Sequence, residues 1–189
     1  MVYPDSITVI LADLRHFSTA LGPGTAGKEV SFTCGSFVRY SLVIEDGVVS
    51  SAMFSSNGCG YMLAAADILA YLVTGEELRE LHGLADGRLH EYVAGRIGTA
   101  PAGRSECIDA SISALRGAFA HFRSVQIEEF RGEKALVCTC FGVTEETIEA
   151  LLHDAAVETV DDVTRLSRAG GGCGSCTMMI QEMLDNRLL

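Results

Sequence analysis

Four cysteines near the end of the chain constrain its fold more than any other feature. They form two close pairs, Cys138 with Cys140 and Cys173 with Cys176, and 32 residues separate Cys140 from Cys173. Glycines beside both pairs allow the backbone to turn tightly, so the four thiols can converge on one metal centre. This stretch of the chain must therefore fold around a shared centre or cross-link itself.

Three kinds of chemistry use such a set of thiols: an iron-sulfur cluster, a zinc ion, or two disulfides. A single residue separates Cys138 from Cys140, which is tighter than the two to four residues usual in zinc knuckles. This spacing favours a 2Fe-2S cluster. Disulfides are disfavoured because the chain shows no secretory context, and zinc stays open as the alternative.

The residues around the two cysteine pairs predict helices. Thr144 and Thr159 are each placed to cap a helix, and the first of these helices carries acidic residues in its first turn. Three consecutive glycines, 170–172, are expected to end the second helix. A third helix is expected to begin at Cys176 and to bury Met179, Ile180, Met183 and Leu184.

The motif around these cysteines resembles a known family. It reads Cys-x-Cys-Phe-Gly-Val-Thr, then a spacer, then Gly-x-Gly-Cys-Gly-x-Cys, and it is similar to the 2Fe-2S domain of the bacterioferritin-associated ferredoxin (BFD) type. The resemblance covers about Val137 to Leu188 and implies a small all-helical 2Fe-2S domain. It also implies that the cluster ligands are Cys138, Cys140, Cys173 and Cys176.

Composition narrows the class of protein. The net charge is −11, and acidic residues outnumber basic ones 15 to 9 through Phe130 and 10 to 5 beyond it, which argues against nucleic-acid binding. The longest apolar run, Tyr61 to Val73, contains Asp67 and is too short to span a membrane. The first residues lack the basic character of a signal peptide. We expect a soluble cytoplasmic protein.

The first 130 residues predict an α+β domain. Apolar periodicity predicts an opening helix from Ile7 to Phe17, and residues 22–27 are expected to form a surface loop. Strands are expected over 30–33, 37–45 and 48–55, and Asp46-Gly47 is a hairpin signal. Helices are expected over 61–73, in a short segment after Thr74, and from Ser105 to Phe122; residues 123–134 are expected to form a linker or a short strand. We place the domain boundaries at 1–130 and 131–189.

Three further cysteines lie in this first domain. Cys34 and Cys59 are flanked by glycine in predicted turns, and Cys59 and Cys107 lie at predicted helix N-termini. A helix N-terminus stabilises a thiolate, which indicates ligands or reactive thiols. The alternative is that Cys59 and Cys107 are small core residues, which is the commonest fate of a free cysteine.

The first domain resembles the IscU/NifU scaffold family, on which iron-sulfur clusters are assembled. The resemblance covers about Tyr3 to Arg123 and rests on Thr33-Cys34-Gly35, the hairpin, Asn57-Gly58-Cys59-Gly60 before a helix of small residues, and Cys107 opening a late helix. It implies that the three thiols hold a transient cluster, iron or zinc, or accept sulfur. NifU proteins join these two domains in this order, which strengthens both resemblances.

The chain departs from the NifU pattern at three places. Ser36 stands where the family has an aspartate that keeps its cluster labile, and Glu106 stands where the family has a histidine. Either residue could offer an additional ligand. A third NifU domain has no counterpart in the 13 residues after Cys176, so we expect a shortened member.

These expectations together predict a scaffold or carrier, not an enzyme. A cluster would form on Cys34, Cys59 and Cys107 and pass to apo-proteins, while a permanent 2Fe-2S centre occupies the C-terminal domain. The implied partners are a cysteine desulfurase, apo iron-sulfur proteins, an electron donor and a second copy in a homodimer. The alternative function is a 2Fe-2S electron-transfer or redox-sensing protein whose first domain is a docking surface.

Overall fold

The structure is a computed structural model that describes residues 3–81, 84, 86–129 and 135–187. It divides into two compact units: the first takes in residues 1–45, 49–76 and 84–121, and the second takes in 46–48, 77–83 and 122–189. The elements of the described residues are α1 (Asp5–Ala12), β1 (Thr25–Val30), β2 (Phe37–Glu45), β3 (Val48–Ser56), α2 (Gly60–Val73), α3 (Asp86–Ile97), α4 (Ser105–Glu129), β4 (Leu136–Cys138), β5 (Val143–Thr144), α5 (Glu145–Leu152), α6 (Val160–Ser167) and α7 (Thr177–Asn186).

A three-stranded sheet forms one layer of the first unit. Its order is β1-β2-β3, and β1 pairs antiparallel with β2. The turn between β2 and β3 is the predicted two-residue hairpin, because Asp46 and Gly47 both have positive φ, 53° and 76°. Side chains on the inner face of the sheet, among them Val38, Tyr40 and Phe54, are fully buried. The predicted small antiparallel sheet is therefore confirmed.

Helices cover the inner face of this sheet. Helix α2 is buried along most of its length, and the Tyr40 hydroxyl donates to the Ala66 carbonyl at 3.1 Å. Helix α1 packs against α2 and α3. A buried serine on α4, Ser111, donates to the Met62 carbonyl at 3.4 Å and joins α4 to α2. The first unit is thus an α+β layer structure, as expected.

The second unit is mostly helical. Thr144 caps α5 by accepting from the Thr147 N–H at 3.3 Å. Thr159 begins α6 with a capping box, in which its side chain accepts from the Asp162 N–H. The buried residues Ile148, Val163, Ile180 and Leu184 form its core. The expected three helices are present, and they hold the cysteine loops between them.

Several sequence-based boundaries were wrong. Helix α1 ends at Ala12, and Phe17 instead bridges to Phe54. Helix α3 lies where weak periodicity predicted none. The described residues 75–81, where a short helix was expected, form a bridge and turns. Helix α4 continues to Glu129 through much of the expected linker. The predicted domain boundary after residue 130 lies outside the described residues.

The predicted surface loop at 22–27 is partly a strand. Its second half, Thr25 to Gly27, belongs to β1. A Cβ atom at Gly27 would collide with the Ala114 carbonyl and the Ala118 amide of α4. This glycine is therefore needed because a strand backbone approaches a helix backbone closely.

The second unit also departs from an all-helical design, since β4 and β5 form a short antiparallel ladder. Strands of three and two residues are too short to show alternation in a sequence. Met179, which was expected to be buried, is 50% exposed. Helix α6 ends at Ser167, and its C-cap residue Arg168, whose φ is 67°, precedes the three glycines.

Asp67 of α2 is only 8% exposed. Its carboxylate accepts the His16 N–H at 2.9 Å, so the buried charge has a hydrogen-bond partner. None of the helices in the described residues is both long enough and apolar enough to cross a membrane.

Candidate functional site

The first unit brings three cysteines together from three elements. Cys34 lies in the loop between β1 and β2, Cys59 is the N-cap residue of α2, and Cys107 lies in the first turn of α4. The Sγ atoms of Cys59 and Cys107 are 3.5 Å apart. The charge of Cys34 also contributes to the raised pKa of Cys107, and we therefore take the three thiols together as the candidate site of this unit.

Cys34 is the accessible thiol of this site. Its Sγ atom lies 3.4 Å from Ser31 Oγ and 3.2 Å from Ser36 Oγ, in a loop closed by the bond from the Ser31 N–H to the Ser36 carbonyl. Hydrogen bonds from Ser31 and Ser36 to the thiolate lower the pKa of Cys34 to about 7, and Arg104 contributes further. A large fraction of Cys34 is therefore ionised at neutral pH.

The other two thiols are more enclosed. Cys107 is 3% exposed and Cys59 is half-buried. Burial, and then its hydrogen bond to Cys59, raises the pKa of Cys107 to about 11. The Arg104 guanidinium hydrogen-bonds to both sulfurs and partly opposes this rise. The site thus combines one exposed, easily ionised thiol with a close pair of more enclosed thiols.

The two proposed additional ligands also lie at this site. Ser36 contacts the Cys34 sulfur, and the Glu106 carboxylate accepts from the Thr33 hydroxyl at 2.6 Å. Thr33 directly precedes Cys34, so this bond ties Glu106 to the cysteine loop. Within the described ranges, no three His, Cys, Asp or Glu side chains are placed to hold a single metal ion. The groups share a site without forming a preassembled ligand set.

Sequence reasoning missed the roles of Arg104 and Thr33 at this site. Arg104 lies three residues before Cys107, in the turn where the Cys107 N–H donates to the Arg104 carbonyl. Its guanidinium is the positive charge that faces the thiols. The signal in the sequence was a single arginine between Pro101 and Cys107 in a strongly acidic chain.

The second unit gathers its four cysteines around one network of sulfurs. Cys138 ends β4 and Cys140 lies in the turn that follows, while Cys173 and Cys176 lie in the loop before α7. Cys138, Cys140 and Cys176 are buried, and Cys173 is half-buried. Thiol hydrogen bonds join Cys138 to Cys140 and Cys176, and a further one joins Cys140 to Cys173.

The sulfurs share their protons unequally. The thiols of Cys140 and Cys176 donate to the Cys138 sulfur, which lowers the pKa of Cys138 and raises the pKa of both donors. Burial opposes ionisation of Cys173, but hydrogen bonds from Ser175, whose Oγ is 2.9 Å away, hold the pKa of Cys173 below its usual value. A lowered pKa favours the thiolate at Cys138 and Cys173, and the thiolate is the form that binds metals.

The shape and chemistry of this second set fit a 2Fe-2S cluster. Four thiolates are the usual ligands of such a cluster, and backbone N–H groups already point at the sulfurs, as from Cys173 to Cys140 Sγ at 3.4 Å. A Cβ atom at Gly172 would lie 2.9 Å from Cys140 Sγ and 3.1 Å from a Phe141 ring carbon. The loop therefore keeps this space free of any side chain.

Comparison with known proteins assigns the family. The chain consists of an α+β unit with three thiols and a mostly helical unit with four thiols, so it is a two-domain protein with one cysteine site in each domain. Residues 14–129 match the family described as NifU-like N terminal domain, and residues 136–186 match the BFD-like 2Fe-2S binding domain. The chain therefore belongs to the NifU-like N-terminal domain family and carries a BFD-like 2Fe-2S binding domain after it. Both predicted resemblances are confirmed.

Three relatives illustrate the match. The nitrogen fixation protein NifU of Trichormus azollae is 27% identical over 195 residues, which span 97% of this chain and 63% of the relative. The cluster assembly scaffold IscU of Thermotoga maritima is 32% identical over 89 residues, covering 46% of this chain and 61% of the relative. The assimilatory nitrate reductase electron transfer subunit of Bacillus subtilis is 33% identical over 48 residues, which cover 25% of this chain and 6% of the relative. The chain spans less than two thirds of the length of each of these relatives.

Proposed function

We propose that the first unit is a scaffold on which a transient iron-sulfur cluster is built and then passed to apo-proteins. The observation that carries this proposal is the convergence of Cys34, Cys59 and Cys107, with two sulfurs 3.5 Å apart. Cys34 is exposed and Cys59 is half-buried, and such accessible thiols suit cargo that must be released. The chain thus acts as a carrier in the cytoplasm, where thiols stay reduced, and not as an enzyme.

The thiols have different roles in this proposal. Cys34 is exposed and has a pKa of about 7, so it is the thiol best suited to accept sulfur from a cysteine desulfurase. Cys59 and Cys107 supply enclosed ligands, and Arg104 offsets the negative charge that they carry as thiolates. Glu106 is held beside Cys34 by Thr33 and offers an oxygen ligand to the cargo. Ser36 acts by stabilising the Cys34 thiolate.

In the second unit, Cys138, Cys140, Cys173 and Cys176 would hold a permanent 2Fe-2S cluster. Such a cluster supplies one-electron transfer at low potential when bound. The residues of this unit bury three of the four sulfurs and donate backbone N–H groups to them. An electron donor is the implied partner. A homodimer would bring the first site of a second copy to the same transient cluster, so that the two copies together complete the ligands of that cluster.

The test is iron and acid-labile sulfide per chain on protein purified without oxygen, before and after incubation with desulfurase, cysteine and ferrous iron. About two irons should rise toward four, and the added iron should pass to an apo-ferredoxin. Cys34→Ala should abolish the increase and keep the visible spectrum of the first two irons. Cys173→Ala is the matched control, which should lose that spectrum and keep the transferable iron. A count that stays at two in the unsubstituted chain rejects the scaffold.

The second candidate is an electron-transfer or redox-sensing protein whose first unit only docks partners. The observation that favours it is the similarity of 48 residues to an electron transfer subunit, together with Ser36 and Glu106 in place of the family's usual residues. This function predicts that Cys34→Ala leaves both iron content and electron transfer unchanged. Zinc in the second unit is a further alternative, and a colourless protein with stoichiometric zinc would indicate it.

A further inference from the structure

The close approach of Cys59 and Cys107 suggests a second use for this pair. Their sulfurs are 3.5 Å apart, only about 1.5 Å more than the length of a disulfide bond. Each sulfur lies at the start of a separate helix, Cys59 at the N-cap of α2 and Cys107 in the first turn of α4. A rotation of either side chain can close this gap. Two thiolates on one tetrahedral metal ion lie about 3.8 Å apart, so the same spacing serves both ligands of one iron and thiols that react with one another.

The surroundings of the pair distinguish an acceptor from a resolving thiol. Cys59 is half-buried, so a sulfur donor can reach it. Cys107 is 3% exposed and is therefore shielded from the donor. The Arg104 guanidinium hydrogen-bonds to both sulfurs. It can therefore stabilise negative charge on either of these sulfurs when that sulfur attacks, without a rearrangement of the site.

We propose that Cys59 and Cys107 form a dithiol that reduces persulfide sulfur to sulfide at the assembly site. This inference rests on the proposed scaffold function, because it takes its sulfur from Cys34. It adds an activity to that function: the chain itself supplies the two electrons that convert delivered sulfur into the sulfide of a cluster.

The reaction balances in two steps. First, the Cys59 sulfur attacks the outer sulfur of a Cys34 persulfide, which breaks the sulfur-sulfur bond at Cys34, restores the Cys34 thiol and leaves Cys59 as the persulfide. Second, the Cys107 sulfur attacks Cys59 Sγ, a disulfide forms between these residues, and the outer sulfur leaves with both protons as hydrogen sulfide. Two electrons move from the thiol pair to the sulfane sulfur. A thiol reductant, oxidised to its own disulfide, then restores the pair.

A single-turnover experiment on the full-length chain tests this reaction. The protein is loaded with radiolabelled sulfur from a desulfurase and labelled cysteine, with iron excluded by a chelator, and free cysteine is removed by gel filtration. The label separates new sulfide from the sulfide of the resident cluster. Released label and peptides linked between Cys59 and Cys107 are then measured over time, the latter by mass spectrometry after alkylation.

The unsubstituted chain should release labelled sulfide and form one Cys59–Cys107 disulfide for each sulfide released. Cys107→Ser should keep the label on the protein, with release slowed by about tenfold or more, because no resolving thiol remains. Cys59→Ser should keep the label on Cys34. An unchanged visible spectrum of the second unit and an unchanged Tm show that each variant is folded.

Three results overturn the proposal, and they separate it from the scaffold function. If the unsubstituted chain takes up label but holds it as long as Cys107→Ser does, the dithiol reaction is wrong while sulfur acceptance stands. If sulfide is released without the linked peptide, an external reductant performs the step. If no label is taken up at all, both the reaction and the acceptor role of Cys34 are wrong.

Discussion

The substitution Gly172→Ala should disrupt the second unit through a single added methyl group. The new Cβ would lie 2.7 Å from Cys140 Cβ and 2.9 Å from its Sγ atom, closer than real side chains approach one another. Cys140 is short and buried, so the contact can be relieved only by moving its backbone or its sulfur. Gly172 does not have positive φ, which means that the effect is steric and not conformational.

Overpacking of this kind costs about 1–3 kcal/mol. For a unit of this size, each kcal/mol lowers Tm by about 4–8 °C. The same displacement moves one of four ligands, so iron content and visible absorption should also fall. The assays are thermal unfolding and iron per chain on protein purified without oxygen.

Gly171→Ala is the matched control. Its Cβ would lie 3.2 Å from the Arg168 carbonyl and 3.3 Å from Thr164 Cγ2, and it would contact neither sulfur nor ring. We expect this variant to keep its iron and most of its stability. Equal iron content and equal Tm in Gly172→Ala and Gly171→Ala would refute the claim that the loop shapes the cysteine site.

Three further predictions follow from the first unit. In metal-free protein, the rate of Cys34 alkylation should be half-maximal near pH 7, because its lowered pKa makes the thiolate dominant above that pH; a midpoint near 9 would contradict this. Thr33→Val should weaken iron binding about tenfold in a chelator competition by releasing Glu106, whereas unchanged affinity would exclude Glu106 as a ligand. Gly27→Ala should destabilise the first unit by about 3 kcal/mol, because its Cβ would collide with the α4 backbone. Gly22→Ala is the control and should not be destabilised, because its Cβ would meet nothing within 4 Å. Chemical unfolding compares the free energies of unfolding of the two variants.

Sequence patterns predicted the features that depend on near neighbours in the chain. The Asp46-Gly47 turn, the threonine caps of α5 and α6, and both cysteine motifs are local, because each is defined by a few consecutive residues. Local signals of this kind survive in many tertiary contexts. The family membership of both domains was accordingly predictable from the motifs.

The features that were missed depend on contacts between distant segments. Helix α3 contains Gly87 and Gly95 and buries only a narrow stripe of side chains, so its sequence signal is weak. The helix is stabilised by packing against neighbouring helices, which the local sequence does not show. Strand β1 carries Gly27 in its middle, which sequence rules assign to loops. Arg104 showed no pattern of its own, because its role arises only where α4 begins beside Cys59.

The first thiol site has no local precursor in the chain. Cys59 and Cys107 are 48 positions apart, and the bond between Thr33 and Glu106 joins residues 73 positions apart. Contacts of such long range form late, since the loops between them must close first. Under the proposed function, iron and sulfur would therefore meet a complete set of groups only on a finished fold. A nascent or misfolded chain offers scattered thiols, so loading of cargo would also test whether the chain has folded correctly.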